Sequence, residues 1–336
     1  MRLVFAPAAV AVAAAACLSA TPARAQGAQR VYVMLADSVP MAVPAAASTI
    51  AGALTRHGWT VVADYPVPGD AARCGGGAHV IVARQAAHEQ LLLAHSAPAA
   101  FAVPVRLSVF QDEAGVHVAM VNPLSIERTI VAETGLETAG RAMVDDLSGV
   151  VLAATHGRRV NRAYGQSRSR GLIGKTMGVM AGGAFPGQVE TITSFPGSGA
   201  ADVRRVADEI WGRLQAPPRG KWQLRGVYRM EFADRGMVVL GVSGAAMEAK
   251  AFDIVGAGDD DARARFKCPG IAYAAAFPLE VVIRSAGADV RVEVINAMFR
   301  MKMYFEDAGQ MKFARNMLMP GSIADELRGL LIGGAH

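Results

Sequence analysis

The chain is written twice, and this limits what it can fold into. Pro104-Val105-Arg106-Leu107-Ser108-Val109 lies on Pro278-Leu279-Glu280-Val281-Val282-Ile283 at an offset of 174 residues. With no gap, the same offset sets Val116-His117-Val118-Ala119-Met120 on Val290-Arg291-Val292-Glu293-Val294, and Asn122 on Asn296. Both copies alternate at period two, which predicts hairpins with one buried face. Leu107 and Val109 point to that face in copy one, Val281 and Ile283 in copy two. His117, Arg291 and Glu293 are expected on the opposite, wetter face. A helix closes each copy: 143–152 matches 323–332 at an offset of 180, so copy two carries six additional residues before its last helix. Met143, Leu147, Val150 and Val151 recur at i, i+4, i+7 and i+8, an amphipathic stripe.

The openings match more loosely. Copy one reads as a strand over 31–35, a helix over 45–56 ended by Gly58, and a strand over 59–63. Copy two reads as a strand over 189–193, a helix over 200–214 and a strand over 222–224. Strands over 79–82 and 252–255 follow, each leading into a short helix, and 237–240 reads as an extra strand in copy two. Each unit is therefore β-α-β-β-α-β-β-α, an α+β unit with an antiparallel sheet and helices on one face.

The N-terminus reads as an address. Met1-Arg2 is followed by an apolar, alanine-rich run from residue 3 to 18, then by Ala23-Arg24-Ala25, the small-x-small pattern cut by signal peptidase. Cleavage after Ala25 leaves Gln26 at the start of a periplasmic or secreted chain, and lowers the net charge from +5 to +3. That charge is too small to argue for nucleic acid. Ala14-Ala15-Ala16-Cys17 is an alternative, a lipoprotein box with alanine where leucine is usual. The domains expected are a signal peptide over 1–25, a first unit over 28–154, a basic and glycine-rich linker over 155–187, and a second unit over 188–333. After cleavage two cysteines remain, Cys74 and Cys268. They are a disulfide candidate in an oxidising compartment, or two separate buried thiols.

The stretch from Arg84 to Ile130 resembles the domain-of-unknown-function 302 family. The matching features are Ala87-His88 opening a short helix, the proline-led strand 104–110, a turn, a second strand and Asn122-Pro123 after it. Copy two resembles it through Lys267-Cys268-Pro269-Gly270 and 277–282, but Ala297 stands where the proline after the asparagine belongs. The resemblance implies two tandem TATA-box-binding-protein-like α+β units that form a pseudo-dimer within one chain. It implies no reaction and no catalytic residue, and a fold likeness alone is no reason to expect DNA binding.

No motif carries chemistry cleanly. Gly174-Lys175-Thr176 lacks the first glycine of a phosphate loop, because Ser169 stands there. His88-Glu89-Gln90-Leu91-Leu92 lacks the second histidine of a zinc-protease helix, and Gly241-Val242-Ser243-Gly244-Ala245 lacks the last glycine of a nucleophile elbow. His79, His88 and His95 would have to gather to bind a metal. Asp259-Asp260-Asp261 reads as a helix cap or a cation site. The 16 methionines crowd toward Met298, Met301, Met303, Met311, Met317 and Met319. Thioether sulfur suits Cu(I), so Met298, Met301 and Met303 are the metal candidates, with Met301 and Met303 on one strand face; the competing reading is core packing. In the linker, Arg158, Arg159, Arg162, Arg168 and Arg170 form a basic stretch suited to a membrane surface or an acidic partner. Gly174, Gly178 and Gly182 there share the spacing of close helix contacts. The expectation is an exported, non-catalytic binding protein, taking a small apolar ligand or an envelope protein between the copies and needing no cofactor. A copper-handling protein is the alternative and a hydrolase the third reading.

Overall fold

The computed structural model describes residues 30–67, 77–131, 136–168, 172–173, 183–256, 269–305 and 310–333. The signal peptide, Cys17, Cys74, Cys268, Arg170, Asp259-Asp260-Asp261 and the Gly174, Gly178 and Gly182 series lie outside the described residues.

The first unit holds β1 (Arg30–Asp37), α1 (Val43–Arg56), β2 (Thr60–Val67), β3 (Ala78–Arg84), α2 (Ala86–His95), a 3₁₀ turn (Ala97–Ala102), β4 (Val105–Asp112), β5 (Gly115–Val121), α3 (Pro123–Ile130), α4 (Glu137–Thr155) and β6 (Arg158–Ser167). Its antiparallel sheet has the order β2-β3-β4-β5-β1-β6. α1 is alanine-rich with proline in its first turn and is closed by His57, whose N–H bonds back to Ala53 O and Leu54 O. Gly58 then takes a positive φ of 81°, which a side chain would resist. The alternation in β4 works as expected. Leu107 and Val109 join Leu35, Ile81, Val118 and Met120 beneath α1 and α4, where Ile50, Leu54, Met143, Leu147, Val150 and Val151 complete a core.

Two short pairing strands, β7 (Leu172–Ile173) and β8 (Gly183–Ala184), lie between the units. The second unit holds β9 (Val189–Pro196), α5 (Gly199–Gln215), β10 (Arg225–Phe232), β11 (Met237–Ser243), α6 (Ala245–Val255), a 3₁₀ turn (Pro269–Ala276), β12 (Leu279–Ala286), β13 (Asp289–Ile295), α7 (Ala297–Phe305), α8 (Gln310–Ala314) and α9 (Met319–Ile332). Its sheet has the order β10-β11-β12-β13-β9, which repeats the first sheet strand for strand without the counterpart of β6. The molecule is thus α+β, with two antiparallel sheets.

Several expectations need correction. Residues 237–240 are no extra strand: β11 is the counterpart of β3. The strand expected at 252–255 is the end of α6, and the second strand starts at Arg225 rather than Trp222. The first part of the linker is β6, an edge strand paired with β1; Val160 packs against the core and Tyr164 is buried among five arginines that made the segment look solvated. A short helix, α3 or α7, follows each hairpin. His117 and Glu293 are buried instead of wet, while Arg291 is exposed. His117 meets Asp112 at 2.8 Å, and Arg284 forks onto Glu293 with two bonds of 2.7 Å.

The inner faces stay dry because the units cover one another. The 3₁₀ turn 269–276 packs on β3, β4 and β5, the turn 97–102 packs on β12, and β2 lies along β10. Tyr32, Tyr164 and Tyr273 form a ring cluster across this junction, with centroids 5.0 to 5.7 Å apart. Buried side chains of both units form one continuous core.

Candidate functional site

At the centre of the junction, Arg106 and Glu280 face each other. Each is the second residue of its strand, β4 or β12, and they are related by the repeat offset of 174. Arg106 Nη1 donates to Glu280 Oε1 at 2.5 Å, and Arg300 of α7 meets Glu280 Oε2 at 3.3 Å. Arg300 also donates to the carbonyls of Ala276 and Pro278 at 2.7 Å. Tyr304 Oη lies 2.5 Å from Arg106 Nη2, and its ring sits under both guanidiniums at 4.7 Å. Burial by itself would loosen the proton of Arg106. Glu280 and Tyr304 more than reverse that and hold it charged. Burial pushes the Tyr304 hydroxyl up. Gly241 on β11 leaves space here: a Cβ would fall 2.2 Å from the Tyr228 ring.

Beside this cluster the second unit is hollow. A cavity of about 110 Å³, partly open to solvent, lies between the sheet and helices α6, α7, α8 and α9. Met247, Ala251, Phe277, Leu279, Met301 and Leu327 are among its apolar walls. Its polar groups are already engaged: Asn296 Nδ2 donates to Glu190 at 2.6 Å, Asn316 donates to Lys312 O at 2.8 Å, and Glu280 and Arg300 hold each other. Nothing in the wall calls for a charged guest, and the shape and polarity are those of a site for apolar matter.

The first unit differs at the corresponding place: its pocket there is more open and includes the polar side chains of Gln85, His88 and Asp146. His88 is the third residue of α2 and Met247 the third of α6; Glu127 is the fifth residue of α3 and Met301 the fifth of α7. His88 Nε2 stands 3.0 Å from Glu127 Oε1, both side chains buried. Burial pushes the Glu127 carboxyl up, with His88 opposing. One strand end shows the same kind of exchange. Arg84 pairs with Glu89 at 3.3 Å after β3, whereas after β11 Ser243 donates to Glu248. Burial raises Glu248 from 4.5 to about 7, against the lowering effects of Ser243 and Arg225. A paired imidazole and carboxylate in unit one thus become two thioethers facing a hollow in unit two.

The expected site residues are scattered. Met298, Met301 and Met303 lie on a helix, not a strand, so Met301 and Met303 point to different sides. Met301 lines the cavity, Met303 is buried in the core and Met298 is half-buried. His79 pairs with Asp64 at 3.0 Å, His88 turns inward and His95 is exposed. Among the described residues no three His, Cys, Asp or Glu side chains are grouped to hold a metal ion. Of the linker arginines, Arg158 pairs with Asp37 and Arg159 is exposed. Arg168 is buried and donates to the carbonyls of Lys302 and Met303 at 2.8 and 3.0 Å, where it caps α7 instead of facing a membrane. Sequence reasoning passed over Arg106 and Glu280. The signal was there: opposite charges at one repeat position, each inside an apolar strand.

The class defined by this architecture is an α+β protein of paired antiparallel sheets with an apolar hollow on one side. Residues 36–154 match the model of a family described as Domain of unknown function DUF302. A solved structure, the crystal structure of an uncharacterized conserved protein DUF302 from Bacillus stearothermophilus, is similar at 11% identity and a TM-score of 0.28. The similarity covers 38% of this chain and 96% of that one. No curated protein matches the chain.

Proposed function

We propose that this is an exported, non-catalytic binding protein whose second unit holds a small apolar ligand. The observation that carries the reading is the cavity of about 110 Å³, walled by apolar side chains and with its polar groups mutually engaged. Small-molecule sites are lined mainly by apolar side chains, as this one is, and each Å² of apolar surface removed from water contributes about 25 cal/mol. The ligand lies inside unit two, not between the copies, because the junction is closed by the tyrosine cluster and the Arg106–Glu280 pair. Residues 188–333 are read as a second copy of the family unit. The gapless offset and the repeated strand order support that reading.

The test is titration of the mature chain with N-phenyl-1-naphthylamine, an apolar fluorophore. One probe should bind per chain. Ala251→Trp, which fills the cavity, should abolish binding without unfolding the protein, as circular dichroism will show. Absence of binding to the wild type, or unchanged binding to a folded Ala251→Trp variant, overturns the proposal. The export reading is tested by N-terminal sequencing of secreted material, which should begin at Gln26.

A further inference from the structure

We infer that the segment from Met311 to Met319 is a docking element for an anionic lipid bilayer, placed at the mouth of the cavity so that an acyl chain passes between bilayer and hollow. This rests on the apolar-ligand reading above and names the source of the ligand.

The segment belongs to the stretch in which copy two is six residues longer than copy one. It is two-sided. Phe313, Asn316 and Met319 turn inward and line the cavity. Met311, Met317 and Leu318 turn outward and are 71%, 52% and 82% exposed. Three large apolar side chains within eight residues form a patch that water disfavours.

The charges beside it choose the partner. Lys312 and Arg315 lie between the exposed apolar residues, and the acids nearest in sequence, Glu306-Asp307 and Asp325-Glu326, stand outside the segment. Lys312 and Lys250 share one carboxylate, Asp253, each at 3.1 Å. Arg315 is exposed. Apolar side chains that enter the acyl boundary, framed by cations that meet lipid phosphates, are how a protein rests on a membrane without crossing it. Among the described residues no helix is long and apolar enough to cross one. A second copy of this chain would bring the same positive charge against itself.

The experiment is flotation of the mature chain with vesicles of phosphatidylglycerol and phosphatidylcholine, compared with vesicles of phosphatidylcholine alone. Binding is expected to the anionic vesicles and to weaken in 0.5 M salt. Met317→Ser with Leu318→Ser should weaken it about tenfold or more. Arg315→Gln should weaken it several-fold, by the loss of one phosphate contact. These side chains point away from the hollow, so binding of N-phenyl-1-naphthylamine should survive in all three substitutions. Wild type that floats with neither vesicle overturns the inference, as does a Met317→Ser, Leu318→Ser variant that floats as well as wild type. A concentration-dependent dimer in sedimentation, lost in that variant, overturns it in favour of self-association. If flotation behaves as expected but the fluorophore never binds, docking stands and the apolar-ligand reading fails.

Discussion

The buried charges at the junction allow a sharp test, because they do not balance. Two guanidiniums, Arg106 and Arg300, surround one carboxylate, Glu280, and all three side chains are buried. Glu280→Gln leaves two cations that cannot shed their protons, with no counter-charge. Breaking a buried pair in this way costs about 3–5 kcal/mol. Arg106→Met acts differently: Glu280 keeps Arg300, and the carbonyls of Ala276 and Pro278 keep the donor they have in Arg300 Nη2. The main loss is the partner of the Tyr304 hydroxyl, roughly 1–3 kcal/mol. Glu280→Gln should therefore be the more damaging by about 2 kcal/mol. Combining it with Arg106→Met, which returns the cluster to one unpaired cation, should recover part of the loss. Urea unfolding followed by tryptophan fluorescence measures this; with a slope near 3 kcal/mol per molar, the Glu280→Gln midpoint falls by about 1 M or more. If Arg106→Met proves as damaging as Glu280→Gln, or the double variant is worse than Glu280→Gln alone, the charge argument is wrong.

Glu248 makes stability depend on pH. Its folded value is raised from 4.5 to about 7, so the folded chain keeps a proton that the unfolded chain gives up. The contribution of Glu248 to stability should be greatest below pH 4.5, fall as pH rises to 7, then level off. At about 1.4 kcal/mol per pH unit the loss is about 3 kcal/mol. Glu248→Gln, which mimics the protonated form, should match wild type near pH 4.5 and melt higher at pH 8; a difference in Tm that stays constant across that range contradicts the assignment. Gly241→Val sets a side chain against the Tyr228 ring, which stands 2.2 Å from where the Cβ must go, and should cost about 1–3 kcal/mol by thermal melting. Equal stability would show that Tyr228 has another place to lie.

What the sequence disclosed follows from how each element is buried. β4 and β12 bury one face against helices and alternate cleanly, so both were legible. β11 is buried along its whole length, and Met237-Val238-Val239-Leu240 has no alternation to reveal its partners; it read as a supernumerary strand. The Phe252-Asp253-Ile254-Val255 run is rich in strand-forming residues but completes a helix begun at Ala245, where tertiary packing outweighs local preference. β6 was hidden by its charges, although Val160 and Tyr164 carry an inward alternation between arginines. His117 and Glu293 looked solvated because a single hairpin has a wet side. Only the second unit makes that side an interior, and a local pattern carries no record of it.

The same logic accounts for the candidate site. A cavity is a place where side chains fall short, and no motif marks it. Yet the repeat offers a comparison that a single domain lacks. Where unit one sets His88 against Glu127, unit two has Met247 and Met301 in the wall of its cavity. Where α4 buries Met143, α9 holds its counterpart Ile323 only partly buried, in the wall of the cavity. The added residues before α9 extend the wall and end in apolar side chains facing outward. Three differences between the units thus lie together, while the strand order β2-β3-β4-β5-β1 recurs as β10-β11-β12-β13-β9. Under the proposed apolar-ligand reading these differences fall where a ligand would sit, while at the junction Arg106 and Glu280 occupy matched positions with opposite charges.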